Sequence, residues 1–317
     1  MKFKNHKKTG GQILIECLIK HSIDRVFCVP GESYLAALDA FYDFRKKIKL
    51  INAKHEATAS NMAEAYGKLT GKPGVAFVTR GPGACHASIG VHIAKQDSTP
   101  MVLFVGQVAT KMYGKESFQE IDYVSMFSKV AKKSFQISKV ESIEKLIHKA
   151  FQISNSGRKG PVVIALPEDI LVKTTMQQNL SVFHIKKAMV NKDQILKIKS
   201  LLELSKKPLI ILGGTNWSEN SKKNIKSFVK KNNLPVVTSF RRQDLIDNRC
   251  KNYVGTLGTS VSPKLLSAFK EADLILSIGS RLSDMSTNSF KLFNKSSEKT
   301  KLIQIYPNFK EIEKVFN

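Results

Sequence analysis

The chain alternates between two apolar rhythms. Ile13, Leu14, Cys17 and Leu18 recur at helical spacing in TGGQILIECLIKHS, and Thr9 stands where an N-cap belongs. RVFCVP follows as a short apolar run without alternation, closed by Pro30-Gly31. Helical period returns through Leu35, Leu38 and Phe41. IKLINA predicts a second strand, and a helix over 56–69 stops at Gly71-Lys72-Pro73. GVAFVT predicts a third strand, after which an Arg-Gly-Pro-Gly turn at 80–83 leads into the helix ACHASIGVHIAKQ. MVLFVG, KSFQIS and PVVIALP add strands, and residues 142–155 add a helix. Apolar strands that do not alternate, set between helices, predict a parallel sheet covered on both faces. The turns at Pro30-Gly31, 53–56, 80–83 and 106–107 then lie at carboxyl ends of strands, where open α/β sheets bind ligands.

This rhythm breaks over KTTMQQNLSVFHIKKAMV, residues 173–190, which has no steady period and reads as a linker. A second α/β unit then begins. It has helices over 192–205 and 219–233 and in PKLLSAFKEA, with apolar runs in KPLIILGGT, NLPVVTSF, DLILSIGS and KLIQIYP. The expected architecture is α/β: two doubly wound parallel-sheet domains, 1–172 and 191–317, joined by that linker. A length of 317 residues fits two domains of roughly 150 each. There is no repeat of defined period and no low-complexity segment.

Composition narrows the function classes. No apolar run approaches the roughly 20 residues of a membrane-spanning helix. The N-terminus is basic, but the amphipathic stretch after it carries Glu16 and is no signal sequence, so the cytoplasm is the expected location. Cys17, Cys28, Cys85 and Cys250 form no C-x-x-C pair and read as reduced thiols, neither a zinc site nor a disulfide framework. The formal charge of +25 invites a nucleic-acid reading. Only eight of the 51 basic residues are arginine, however, and the lysines are spread along the whole chain. That pattern predicts weak, salt-sensitive sticking to polyanions and no specific nucleic-acid partner.

Candidate chemistry centres on Glu56, at the junction of a strand and a helix rich in small residues: Ala57, Ala59, Ala63 and Ala65. A carboxylate there has a plain explanation, because it complements the helix dipole in the first turn. Alanine has one too, as the best helix former. Gly81-Pro82-Gly83 could meet an anion at a helix start. Asp97 and Gln107 read as structural. Arg241 and Arg242 could reach a nucleotide phosphate or lie in a solvated loop.

Five segments in order, VFCVPGESYLAALDAF, HEATASNMAEAYGKLTGKPGVAFVTRGPGA, QDSTPMVLFVGQV, FQEIDY and SGRKGPVVIALPEDI, change this picture. Together they resemble the N-terminal, pyrimidine-binding domain of thiamine-diphosphate-dependent enzymes, in particular the acetolactate synthase-like group. The resemblance covers roughly residues 9–172. PLIILGG, TSFRRQDLIDN and DLILSIGSRLSD are similar to the central domain of the same enzymes.

The resemblance implies a transferase or lyase acting on 2-keto acids by carbanion chemistry, with C–C ligation or decarboxylation as its outcome. It implies that Glu56 is catalytic. Its carboxyl hydrogen-bonds the aminopyrimidine N1′ of thiamine diphosphate and favours the imino tautomer, whose 4′ nitrogen deprotonates the thiazolium carbon. The alanines after Glu56 would let the helix approach the flat ring. Pro30, Gly31, Gly81, Pro82, Gly83 and His86 are the implied cofactor-binding positions, and Phe118 and Gln119 the implied substrate pocket. Cys85-His86 departs from the Thr-Asn usual in acetolactate synthases. A histidine there occurs in pyruvate-oxidising members, so a 2-keto acid decarboxylase or pyruvate oxidase-type reaction stays open.

Magnesium, which prefers oxygen ligands and phosphates, is held in this family by a third domain with a Gly-Asp-Gly motif. No Gly-Asp-Gly occurs in this sequence, so no metal ligands are expected here. The chain therefore resembles the N-terminal part of an enzyme, truncated or one half of a split pair, and inactive alone. A non-catalytic subunit that kept the fold is the remaining alternative. A homodimer or higher oligomer and a separate chain carrying the diphosphate-binding domain are the implied partners, with no membrane. FAD stays open: Gly213-Gly214 and Arg281 fit loosely, GSRLSDMST departs from the family pattern, and no G-x-G-x-x-G is present.

Overall fold

Every strand of the two main sheets runs parallel to its neighbours. The computed structural model describes residues 7–176, 180–182, 191–215, 217–292 and 299–312. The chain divides into two units, Met1–Lys186 and Lys187–Asn317. In the first unit the order is β1 (Lys8–Thr9), α1 (Gly10–Lys20), β2 (Arg25–Cys28), α2 (Leu35–Asp43), β3 (Lys49–Asn52), α3 (Glu56–Thr70), β4 (Gly74–Val78) and α4 (Gly81–Asp97). It continues with β5 (Met101–Gln107), α5 (Tyr123–Met126), β6 (Lys133–Gln136), α6 (Ile143–Asn155), β7 (Pro161–Pro167), α7 (Glu168–Val172) and β8 (Thr174–Thr175).

The six-stranded sheet has the order β3-β2-β4-β5-β7-β6. From β2 the chain moves to one side for β3 and to the other for β4. The crossovers diverge between β2 and β4, and their carboxyl ends open the crevice where doubly wound sheets hold ligands. β4, β5 and β7 are buried at every position, which is why their sequences do not alternate. One face carries a large aliphatic and aromatic cluster from α1, α2 and α6. The other is packed by small residues of α3 and α4, among them Ala59, Ala63, Ala84 and Ala87.

Local chemistry sets the boundaries. Thr9 caps α1 through a reciprocal capping box with Gln12, both bonds 3.2 Å. Leu35, expected on a core face, is 62% exposed. A 3-10 turn over Glu32–Tyr34 precedes α2 and rotates its register, so that Ala37, Ala40 and Phe41 face inward. Gly81-Pro82-Gly83 is no separate turn but the first turn of α4, where the missing proline N–H costs nothing. The expected linker also differs in part. Thr174–Thr175 pairs antiparallel with Lys8–Thr9, so these residues belong to the first unit. Residues 177–179 and 183–190 of that linker lie outside the described residues.

The second unit contains α8 (Lys192–Leu204), β9 (Pro208–Leu212), α9 (Glu219–Lys231), β10 (Val236–Thr238), β11 (Tyr253–Thr256), α10 (Pro263–Glu271), β12 (Leu274–Ile278), β13 (Lys301–Ile305) and α11 (Phe309–Ile312). Its sheet order is β11-β10-β9-β12-β13. Its crossovers diverge between β9 and β12. At that point Gly214 and Gly279, at φ +69° and +75°, press against each other's loops: a Cβ on Gly214 would stand 1.9 Å from the Gly279 carbonyl oxygen. Among the described residues no helix is long and apolar enough to cross a membrane.

Candidate functional site

Glu56 is the first residue of α3, capped by His55, whose Nδ1 accepts from the Ala57 amide at 3.1 Å. The helix starts where β3 ends and enters the crevice between β2 and β4. The Glu56 side chain is only 14% exposed, while that of His86, in the second turn of α4, is 51% exposed. His86 Nδ1 lies 2.9 Å from Glu56 Oε2. The rings of His55 and His86 stack with centroids 4.4 Å apart. Glu56 Oε1 has no protein partner among the described residues. It faces Gly83, where an added Cβ would lie 3.5 Å from Oε1 and 3.2 Å from Thr79 Cγ2. Glycine at 83 therefore keeps any side chain off the Glu56 carboxylate.

The opposite wall is the turn after β2. Tyr34 donates from its hydroxyl to the Val29 carbonyl and pins the backbone just before Pro30-Gly31. Burial, followed by the Cys28 and Glu56 charges, pushes the Tyr34 hydroxyl far up and keeps it a donor. Gly31 is required by close approach, since a Cβ there would stand 2.5 Å from Thr79 Cβ. Ser33 and Thr79 hydroxyls bond at 2.9 Å across the same gap. Pro30 and Pro82 are exposed on either side of the opening.

The structure thus brings Glu56, His86, Gly83 and the Gly31 turn to one crevice. Phe118 and Gln119 join it differently. They form a turn in which Phe118 is 75% exposed and Gln119 has φ +63°. The Gln119 carbonyl accepts from the Gly81 amide at 3.0 Å, so this loop holds the start of α4 through its backbone. Gln107 steadies the loop from below by donating to the Ile121 carbonyl at 2.8 Å.

Residue reading alone does not single out Thr79, Ser33 or His55. Their roles come from contacts between segments far apart in sequence, and the only local signal is that Thr79 immediately precedes Arg80-Gly81. Ala59 and Ala63 are buried against α4 and the sheet, where they let the two helices pack closely, and Ala65 is exposed. Arg242 makes an ion pair with Asp244 at 3.0 Å and also bonds the Gly214 carbonyl.

Two family patterns match the chain. "Thiamine pyrophosphate enzyme, N-terminal TPP binding domain" matches residues 8–126, and "Thiamine pyrophosphate enzyme, central domain" matches 195–317. The chain belongs to the thiamine pyrophosphate enzyme family. The first unit contains the stretch that matches the N-terminal TPP binding domain, and the crevice described above lies within it. Similar proteins include the "Acetolactate synthase large subunit" of Buchnera aphidicola subsp. Schizaphis graminum, 35% identical over 291 residues, covering 90% of this chain and 51% of that protein. The "Acetolactate synthase isozyme 3 large subunit" of Escherichia coli is 33% identical over 287 residues, covering 89% of this chain and 50% of that protein. The "Acetolactate synthase, mitochondrial" of Schizosaccharomyces pombe is 33% identical over 300 residues, covering 90% and 44%. This thiamine pyrophosphate enzyme chain spans about half the length of the curated relatives it matches.

Proposed function

We propose that this chain supplies the pyrimidine-holding half of a thiamine diphosphate site that acts on 2-keto acids in the manner of acetolactate synthase. The observation that carries the reading is a shielded carboxylate at the topological switch point, with one oxygen bonded to His86 and the other facing the space over Gly83. The residues present fit an aminopyrimidine: a glycine beside the carboxylate, a carboxylate edge with one free oxygen, and a close backbone turn at Pro30-Gly31. Bound there, thiamine diphosphate supplies an acidic thiazolium carbon that serves as the nucleophile toward a 2-keto acid.

Glu56 would exchange a proton with the pyrimidine ring nitrogen through Oε1, the oxygen that His86 leaves open. His86 fixes the carboxylate by bonding Oε2. Gly83 keeps the ring space clear, and the Pro30-Gly31 backbone closes the other side. Phe118 and Gln119 stand at the entrance as the substrate-side residues. Mg²⁺ and the diphosphate are assigned to residues outside these 317, in the same polypeptide or in a second chain. FAD is left outside the reading, because Gly214 and Gly279 are accounted for by each other and Arg242 by Asp244. We assign the working unit to the cytoplasm as a homodimer or larger oligomer. The exposed α4 face of Cys85, His86 and Ile89, the last 50% exposed, is the surface proposed to pair.

His86 in place of the usual Asn favours a second reading, pyruvate oxidation or decarboxylation at the same site. Product analysis separates the two. The chain is combined with the C-terminal half of the Escherichia coli relative, thiamine diphosphate, Mg²⁺ and pyruvate. Acetolactate supports the first reading, and acetaldehyde or acetate the second. No pyruvate consumption, together with no cofactor binding by calorimetry, overturns both. Light scattering reads the oligomer, and a monomer at high concentration in the reconstituted enzyme rejects the pairing surface.

A further inference from the structure

The core between α1 and α6 contains a polar cluster that the proposed chemistry does not use. Cys17 on α1 and Glu144 and His148 on α6 are 0%, 2% and 0% exposed. One ligand-type atom from each lies within 4.8 Å of the others. His148 Nε2 is 3.7 Å from Glu144 Oε1. Among the described residues, Glu144 Oε2 and His148 Nε2 are buried without a partner of hydrogen-bond geometry. Native interiors rarely leave two such atoms facing one space.

The surroundings orient both groups. His21 Nε2 lies 2.8 Å from His148 Nδ1, and the His21 ring stacks on Phe151 with centroids 4.1 Å apart. If His148 donates from Nδ1, its Nε2 lone pair is left on the Glu144 side of the ring, 3.7 Å from Oε1. This is the arrangement in which an outer partner fixes the tautomer of a metal-binding histidine. Lys20 Nζ holds Glu144 Oε1 at 2.8 Å, the oxygen that also lies nearest His148.

The geometry points to a transition-metal site of the zinc class, with Cys17 Sγ, a Glu144 carboxylate oxygen and the His148 imidazole as ligands and His21 and Lys20 behind them. Sulfur, imidazole and carboxylate together suit Zn²⁺ and disfavour Mg²⁺. Neighbouring ligands around tetrahedral zinc stand about 3.3–3.8 Å apart, so the cluster needs to close by about 1 Å at its widest edge. Binding replaces the thiol proton of Cys17 with the metal and releases that proton to solvent. The ion would staple the first helix of the domain to its sixth.

The test uses the full chain, stripped with chelator and reloaded with Zn²⁺ or Co²⁺ alone. One tightly held Zn²⁺ per chain is expected, with X-ray absorption at the zinc edge reading a single sulfur ligand. Co²⁺ should give a thiolate charge-transfer band that disappears in Cys17→Ser. His148→Gln should abolish tight binding, and His21→Phe should weaken it about 10- to 100-fold. The exposed cluster of His55, Glu56 and His86 is the competing site, read by His86→Ala. No bound Zn²⁺, a zinc edge without sulfur, or binding lost in His86→Ala and kept in Cys17→Ser overturns the inference. The absorption measurement needs no variant, so a misfolded substitution does not blur the answer.

Discussion

Glu56 Oε2 and His86 Nδ1 stand 2.9 Å apart, joining the first turn of α3 to the second turn of α4. The bond leaves a single carboxylate oxygen, Oε1, for a ligand. It also makes the carboxylate orientation depend on a residue 30 positions away. The proposed proton transfer therefore rests on a pair, and its members fail differently.

Glu56→Gln keeps an acceptor beside the ring nitrogen but cannot share a proton. In the enzyme reconstituted with a C-terminal half, turnover should fall roughly 10²- to 10⁴-fold. The deciding measurement is exchange of the thiazolium proton in deuterated water. Exchange as fast as in the unmodified complex makes Glu56 a helix-terminal charge and nothing more. Glu141→Gln, exposed and remote, is the control. Glu64 would be a poor one, because it is buried and accepts from the Thr99 hydroxyl at 2.8 Å.

His86→Phe removes the donor and leaves Oε2 unpaired. Thiamine diphosphate affinity should weaken by about 10- to 100-fold, the worth of one hydrogen bond to a charged group. His86→Asn should recover most of it, since an amide can donate from the same helix position. Calorimetry on the reconstituted enzyme distinguishes them, and equal affinities for the two variants reject an orienting role.

Gly31→Ala drives a methyl into Thr79 Cβ. The expected loss is about 1–3 kcal/mol, read by urea unfolding. Thr79→Ser should not rescue it, because the collision is with the β-carbon and not with the atoms serine removes.

Alkaline pH offers a test of the core. Burial, helped by Arg158, lowers Lys132 from its usual 10.5 to about 8. Folded Lys132 then loses its proton near pH 8, and the unfolded chain near 10.5. Between those values the unfolded state holds the extra proton, so stability should rise with pH. Burial lowers Lys159 as well, which adds in the same direction. Burial also raises Cys17 and Cys28, whose thiols ionise first in the unfolded chain from about pH 9, and Tyr34 and Tyr123, which do so from about pH 10, so all four oppose the rise. Urea midpoints should therefore climb from pH 7 to about 9, and the climb should shrink in Lys132→Met. A climb unchanged in that variant rejects the assignment.

Much of the first unit was legible because β4, β5 and β7 are buried on both faces and advertise it with unbroken apolar runs. β11 was not, since Tyr253–Thr256 is a short edge strand with Gly255 at φ +133° and partly exposed side chains. The sequence places the start of α4 at Ala84, three residues late, because Gly-Pro-Gly usually marks a turn, whereas here the Gln119 carbonyl completes a helical first turn. Glu56 stood out from its place at a strand-to-helix junction. Its bond to His86 and the stacking of His55 did not, because helix-to-helix contacts depend on packing that no single segment encodes. The same holds for Cys17 with Glu144 and His148.

The tie between the Gly81 amide and the Gln119 carbonyl has a further consequence. A chain segment nearly 40 residues downstream holds the first turn of α4 in place, and it does so from an exposed loop. A single protease cut between Gly114 and Phe118 would leave both sheets whole yet untether the floor of the crevice. Nicked enzyme should therefore unfold at almost the same temperature as intact enzyme while releasing its cofactor much faster, so the loop acts as a fuse that fails before the frame does.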